Sequence, residues 1–195
     1  KILEEVAIQV DYASASDESR PVLTGVMFST GEDLLKITAT DGFRLSRKTI
    51  TLEKEMSGFE KGLIMPARTI LEMARILQEG KKADLEMGMA GEGNQVILNY
   101  DGVQLSSRVL EGNFPDVEKI IPREVKIEAI VDKEEFLRAV KAVGIFARDS
   151  SNVIKIKIEE GKMVVAASAS STGDSVVEVE AETKGGEGQI AFNYR

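Results

Sequence analysis

Cysteine and histidine are both absent from the 195 residues, and each absence closes a class of chemistry. Without cysteine there are no disulfides, no thiolate nucleophiles and no Cys-ligated zinc, a composition that fits a reducing compartment. Without histidine the commonest general base and the commonest metal ligand are missing, so Ser-His-Asp triads and imidazole metal sites are impossible. Catalysis is left to carboxylate, Lys, Tyr or Ser side chains. Basic residues are in the minority, 25 Lys and Arg against 33 Asp and Glu. The resulting net charge of −8 argues against a surface that coats nucleic acid over its whole area, while leaving room for a local basic face. No apolar run reaches the length of a membrane span, and the acidic start KILEEVAIQV does not read as a signal peptide. A cytoplasmic location and no membrane partner are therefore expected. A chain of this length holds one large domain or two of roughly 100 residues, and either can bury a core without staples.

What is present is a regular alternation of helices, strands and Asp-Gly turns. Ile2, Leu3, Val6, Val10 and Ala13 recur at helical spacing and predict an amphipathic first helix that fades in the Ser-rich residues 13–19. Strands are expected over 22–29, 34–40 and 43–52, with Asp41-Gly42 closing the last two as a two-residue type I′ hairpin turn. A charged loop at 53–61 leads to a short strand at 63–65. Pro66 then opens a helix running to about residue 78, where it lacks a donor that the first turn does not use. Ile70, Met73 and Leu77 form that helix's apolar stripe, and Gly80 is its stop. Strands over 83–89, 95–100 and 103–110 follow, the last two joined by a second Asp-Gly turn at Asp101-Gly102. The stretch FPDVEKIIP at 114–122 reads as an ordered, non-helical connector.

From Val125 the pattern restarts. A strand is expected over 125–131, then Asp132 as a helix N-cap, a helix over 133–147, and strands over 153–159, 162–168, 175–182 and 189–192. Laid over the first half, these elements fall about 126 to 130 residues apart in the same order, which indicates an internal duplication. The expected domains are 1–124 and 125–195, each α+β with helices on one face of antiparallel sheets. The second copy stops where its second helix would begin, so the chain is expected to be a fragment of a longer protein.

Chemistry-bearing constellations are few. Glu4-Glu5, Glu134-Glu135 and Glu159-Glu160 are adjacent pairs with nothing to set two carboxylates across a cleft, as acid and base work requires. Gly91, Gly93, Gly185, Gly186 and Gly188 match neither a Walker loop nor a dinucleotide fingerprint. No catalytic residue, cofactor or metal is expected. Two readings from other classes stay open on the residues alone. One is an α+β enzyme using Asp41 and Arg44 on a phosphorylated substrate, and the other is a protein-interaction module that does not bind DNA.

Three stretches carry a resemblance: DESRPVLTGVMF at 17–28, ATDGFRLSR at 39–47 and GNFPDVEKIIP at 112–122. In this order and spacing the chain resembles the bacterial DNA polymerase III beta subunit, the sliding-clamp family. The likeness covers the whole chain and implies the family's middle domain over 1–124 and the first half of its third domain over 125–195. The family's first domain and C-terminal tail lack a counterpart. It implies the DNA-clamp fold and, in the full-length protein, a ring-shaped homodimer whose helices line a hole holding duplex DNA without sequence specificity. The implied function is that of a processivity factor without catalysis. Its implied partners are the DNA polymerase III catalytic subunit, the clamp loader, and other DNA polymerases and repair proteins that carry a clamp-binding peptide.

The resemblance also implies sites. Family clamps take partner peptides in a pocket matched here by Arg20, Leu23, Thr40, Gly42, Phe43, Arg44, Leu45, Pro122 and Asn193. Phe43 stands where the family varies, and the tail normally completes the pocket. The plainer reading pairs Arg20 and Arg44 with Asp17 or Asp41 and leaves Leu23 and Leu45 in the core. Phosphate contacts to DNA are matched by Arg68, Arg75, Lys81 and Lys82 in the middle domain and by Arg138, Lys141 and Arg148 in the third, although Glu72 and Glu79 interrupt the first set. Ile145 and Phe146 lie off the stripe of Phe136, Val140, Val143 and Ala147, and they match the family's head-to-tail dimer interface. A wide stripe burying both is the alternative.

Overall fold

A computed structural model describes residues 2–31, 33–52, 62–79, 85–170 and 173–195. The chain divides into two compact units, residues 1–116 and 117–195. The division falls earlier than the sequence-based boundary at 124/125, because most of the FPDVEKIIP stretch goes with the second unit and forms the short 3-10 turn Val117–Lys119 there.

In the first unit, helix α1 (Ile2–Gln9) buries Leu3 and Val6. The 3-10 turn Asp11–Ala13 that follows extends the same stripe through the fully buried Val10 and Ala13. Strands β1 (Gly25–Gly31), β2 (Leu34–Thr40), β3 (Leu45–Thr51) and β4 (Leu63–Pro66) form one antiparallel sheet in the order β3-β2-β1-β4. Helix α2 (Ala67–Glu79) buries Ile70, Met73 and Ala74, while Leu77 packs half-buried against the same core. Strands β5 (Glu86–Ala90), β6 (Gln95–Tyr100) and β7 (Val103–Arg108) make a second sheet. In β6 only Val96, Leu98 and Tyr100 are buried, the alternation of a sheet with one wet face. Phe28, Ile37, Met65, Ile70, Met73 and Leu98 are almost fully buried at the centre, each contributing about 1.5–3 kcal/mol of transfer free energy.

The two sheets of this unit meet closely at Gly25. A Cβ there would lie 2.7 Å from both Ile64 Cγ2 and Leu110 Cδ1, so only glycine lets β1 pass under the junction. The Leu110 N–H donates to the Ile64 carbonyl at 2.8 Å and ties the end of the β7 segment to β4.

The second unit holds β8 (Glu128–Val131), α3 (Lys133–Ala147), β9 (Val153–Glu159), β10 (Lys162–Ala169), β11 (Gly173–Lys184) and β12 (Gly188–Asn193). Asp132 caps α3 as expected, its Oδ1 accepting from the Glu135 N–H at 2.9 Å. The core is Val143, Ala147 and Val165 with Ile154, Ile156 and Val179. The sheet order is β12-β9-β10-β11-β8. Set β9 for β1, β10 for β2, β11 for β3 and β12 for β4, and this order repeats that of the first unit, with β8 added at the edge. The duplication legible in the sequence is thus a duplication of strand order.

One expected strand is cut short. The segment 22–29 does not begin as a strand but as the 3-10 turn Pro21–Thr24, and β1 starts only at Gly25. Pro21 fixes the φ of the first turn residue, the Leu23 N–H donates to the Arg20 carbonyl at 2.9 Å, and Thr24 Oγ1 donates to the Pro21 carbonyl at 2.8 Å. The charged loop 53–61 and the expected helix stop at Gly80 lie outside the described residues.

Candidate functional site

The connection between β2 and β3 is not the two-residue turn expected from Asp41-Gly42. Pairing ends at Thr40↔Leu45, so residues 41–44 form a four-residue loop. Side chains hold it open. Asp41 Oδ1 accepts from the N–H groups of Phe43 and Arg44, both at 2.9 Å. Thr40 is buried, and its Oγ1 donates to the Arg44 carbonyl at 2.7 Å while accepting from the Gly42 N–H at 3.1 Å. Gly42 supplies the loop's one left-handed residue, at φ 92°. The N–H groups of residues 42–44 and the Arg44 carbonyl are therefore satisfied within the loop, and its tip, Phe43, is left 100% exposed.

Electrostatics reinforce this arrangement. Partial desolvation works to raise the Asp41 pKa, but the two N–H donors and the Arg44 guanidinium outweigh it and hold the carboxyl below its ordinary value. Arg44 Nε lies 3.1 Å from Asp41 Oδ2. Arg44 Cζ lies over the Tyr12 ring, 5.9 Å from its centroid. Arg20 joins the cluster, since its Nη1 lies 3.5 Å from where a Gly42 Cβ would be. Beside it, Asp17 is held below its ordinary pKa, first by the Ser19 hydroxyl and N–H and then by the charge of Arg20.

Of the residues expected in a peptide pocket, then, Arg20, Thr40, Gly42, Phe43 and Arg44 come together around one loop in the first unit. Leu23 is buried in the Pro21–Thr24 turn that follows Arg20, and Leu45 is half-buried at the start of β3. The plainer expectation also holds in part: Arg44 does pair with Asp41, and Leu23 does belong to the interior. Tyr12 had no place in the sequence reading. An exposed aromatic just past a helix end, in a chain only 5% aromatic, was the available signal.

In the second unit, Pro122 is exposed. Asn193 ends β12, its Nδ2 donating to the Ser151 carbonyl at 3.4 Å and its Oδ1 accepting from the Arg195 N–H at 3.0 Å. Of the basic residues expected to face DNA, Arg68, Arg75, Arg138 and Lys141 lie on α-helices. Arg68 and Arg75 are exposed on α2, and Arg75 is engaged by Glu72 at 3.0 Å. Lys81 and Lys82 lie outside the described residues. On α3, Arg138 lies 4.0 Å from Glu135, and Lys141 is exposed on the same side. Arg148 sits in the 3-10 turn Arg148–Ser150 and, after Arg195, helps to lower the pKa of the Tyr194 hydroxyl. Ile145 is 62% exposed, whereas Phe146 is half-buried against its own unit's core. The two residues expected at a dimer interface are thus divided, one outward and one inward. Among the described residues no group of three or more Asp or Glu is gathered to hold a metal ion.

Comparison with known proteins gives this geometry a setting. The family model for the DNA polymerase III beta subunit central domain matches residues 1–116, and the model for its C-terminal domain matches residues 118–195. The chain belongs to the DNA polymerase III beta subunit family. The beta sliding clamp of Staphylococcus aureus (strain N315) is 33% identical over 198 residues, an alignment covering 100% of this chain and 51% of that protein. The Thermotoga maritima DNA polymerase III beta subunit crystal structure matches at a TM-score of 0.89 and 30% identity, covering 98% of this chain and 51% of that one. The Bacillus subtilis DNA polymerase sliding clamp matches at a TM-score of 0.87 and 28% identity, covering 98% and 50%. The chain therefore has the α+β sliding-clamp fold and spans about half the length of the curated relatives it matches. The junction between the two family models lies beside the structural division at 116/117.

Proposed function

We propose that the chain is the middle domain and part of the third domain of a bacterial sliding clamp, a non-enzymatic processivity factor. The full-length protein encircles duplex DNA as a homodimer in the cytoplasm and tethers the DNA polymerase III catalytic subunit after loading by the clamp loader. It offers the same surface to other DNA polymerases and repair proteins that carry a clamp-binding peptide. The observation that carries this reading is the loop 41–44, braced by Asp41 and Thr40, with a fully exposed Phe43 at its tip, Arg44 at its end and Arg20 close to Gly42. A peptide site needs apolar surface with a few fixed polar groups, and this loop supplies both. Pro122 and Asn193 belong to the proposed pocket through the family resemblance alone.

In the same reading Arg68, Arg75, Lys81, Lys82, Arg138, Lys141 and Arg148 meet DNA phosphates, and Ile145 with Phe146 contributes to the dimer interface. The exposure of Ile145 supports that role better than the packing of Phe146 does. An enzymatic role for Asp41 is disfavoured, because both of its carboxylate oxygens are already engaged within the loop.

The test uses the full-length protein loaded onto nicked circular DNA, washed at high salt and then linearised. High salt strips phosphate-only contacts but leaves a closed ring in place. Protein retained on circles and lost from linear molecules is the expected result. Protein lost in the wash from circles as well, after competent loading, would overturn topological holding.

A further inference from the structure

The contact between Tyr12 and Arg44 joins two segments far apart in the chain, and both are held by their own surroundings. Tyr12 is the middle residue of the Asp11–Ala13 turn, flanked by Val10 and Ala13, both fully buried. The Ser14 N–H and Oγ donate to the Asp11 carbonyl at 2.9 and 2.7 Å and close that turn. The end of α1 is also cross-linked to β3, the strand that leaves the loop. Ser46 Oγ donates to the Gln9 carbonyl at 2.5 Å, and Lys48 Nζ reaches Gln9 Oε1 and Glu5 Oε2, both at 2.7 Å. The helix end and the loop's exit strand are therefore tied together, and the backbone that carries the half-exposed Tyr12 ring is anchored on both sides. Asp41 Oδ2 takes Arg44 Nε, and Arg44 Cζ lies over the Tyr12 ring at 5.9 Å from its centroid, so the guanidinium meets two neighbours at once.

We propose that Tyr12 is a positioning residue for partner binding, holding the Arg44 guanidinium in its binding orientation before a peptide arrives. Ordering a long side chain on binding costs affinity, and a side chain already ordered avoids that cost. Tyr12 acts through Arg44 and not by its own contact with the peptide. Its hydroxyl has no part in this role, so phenylalanine serves as well. The inference rests on the peptide-pocket reading above and deepens it.

The test is a fluorescence-anisotropy titration of this chain with a fluorescein-labelled synthetic peptide carrying the clamp-binding segment of the polymerase III catalytic subunit. Tyr12→Leu weakens binding by about two- to fivefold, the size of an exposed cation–π contact, and Tyr12→Phe restores it. In an Arg44→Ala background Tyr12→Leu has no further effect. If Arg44→Ala weakens binding but Tyr12→Leu does not, the positioning role is overturned and the pocket stands. If Tyr12→Leu weakens binding equally with and without Arg44, the role through Arg44 is likewise overturned. If neither single variant changes binding, the pocket reading itself fails.

Discussion

The first unit contains the dipeptide Asp-Gly twice at a strand end, and the two copies fold differently. At Asp101-Gly102 both residues are left-handed, with φ of 46° and 80°, and Tyr100 pairs directly with Val103 in a two-residue hairpin turn. At Asp41-Gly42 only the glycine is left-handed, and the strands stay apart for four residues. The difference lies in what precedes and follows the dipeptide. Thr40 is buried and offers a hydroxyl to both ends of the loop, and the Asp41 carboxylate takes two N–H groups that would otherwise lack a partner. One copy merely reverses the chain, while the other builds a side-chain-braced loop with an exposed aromatic tip and two arginines, Arg20 and Arg44, beside it.

The largest effect that separates the two turns is on partner binding. Arg44→Ala or Leu45→Ala should weaken a clamp-binding peptide about tenfold while circular dichroism shows an intact fold. Asp101→Ala should leave the affinity unchanged. Next comes stability. Asp41→Ala strands two loop N–H groups and releases Arg44, and should cost about 1–2 kcal/mol in urea unfolding. Asp101→Asn, which keeps a residue tolerant of the left-handed region, should stay within about 0.5 kcal/mol. Alanine at either glycine should cost about 1 kcal/mol for its positive φ, but only Gly42→Ala, beside Arg20, should also reduce peptide affinity.

The smallest effects are in pH dependence, and two aspartates near the site have opposite signs. The folded-state pKa of Asp41 is lowered below 3.8, so its contribution to stability is present above that pH and is lost as pH falls through the folded value. The pKa of Asp11 is raised by burial, and among the described residues its buried Oδ1 has no hydrogen-bond partner. Its contribution is therefore present below pH 3.8 and is lost as pH rises through the folded value. Asp11→Asn should raise Tm by about 1 °C at pH 7, with the gain vanishing near pH 3. Thermal melts at both pH values distinguish this from a gain that is independent of pH.

Local pattern was enough to read much of the fold. Strands 34–40, 95–100 and 153–159 and helix 133–147 coincide with β2, β6, β9 and α3, because each carries its own periodicity and its own end signals. Asp132 marks one such end and Asp101-Gly102 another. Where a local signal competed with a neighbour's side chain, the neighbour prevailed. Pro21 turned the start of an apolar run into a 3-10 turn, and Thr40 opened a hairpin that the dipeptide alone would have closed. Family resemblance named a set of candidate residues, and Arg20, Thr40, Gly42, Phe43 and Arg44 of that set do lie around one loop, but their arrangement was not legible. That Tyr12 lies under Arg44 depends on α1 docking against β3 through Gln9, Ser46 and Lys48, a tertiary event that no spacing announces.

The most direct test of the account is a residue-resolved NMR titration of the isotopically labelled chain with a clamp-binding peptide. The account predicts backbone shift changes at Arg20 and through residues 40–45, with residues 100–103 unmoved. Shifts of equal size at both Asp-Gly sites, or at neither while the peptide still binds, would contradict the claim that the loop 41–44 is the binding platform.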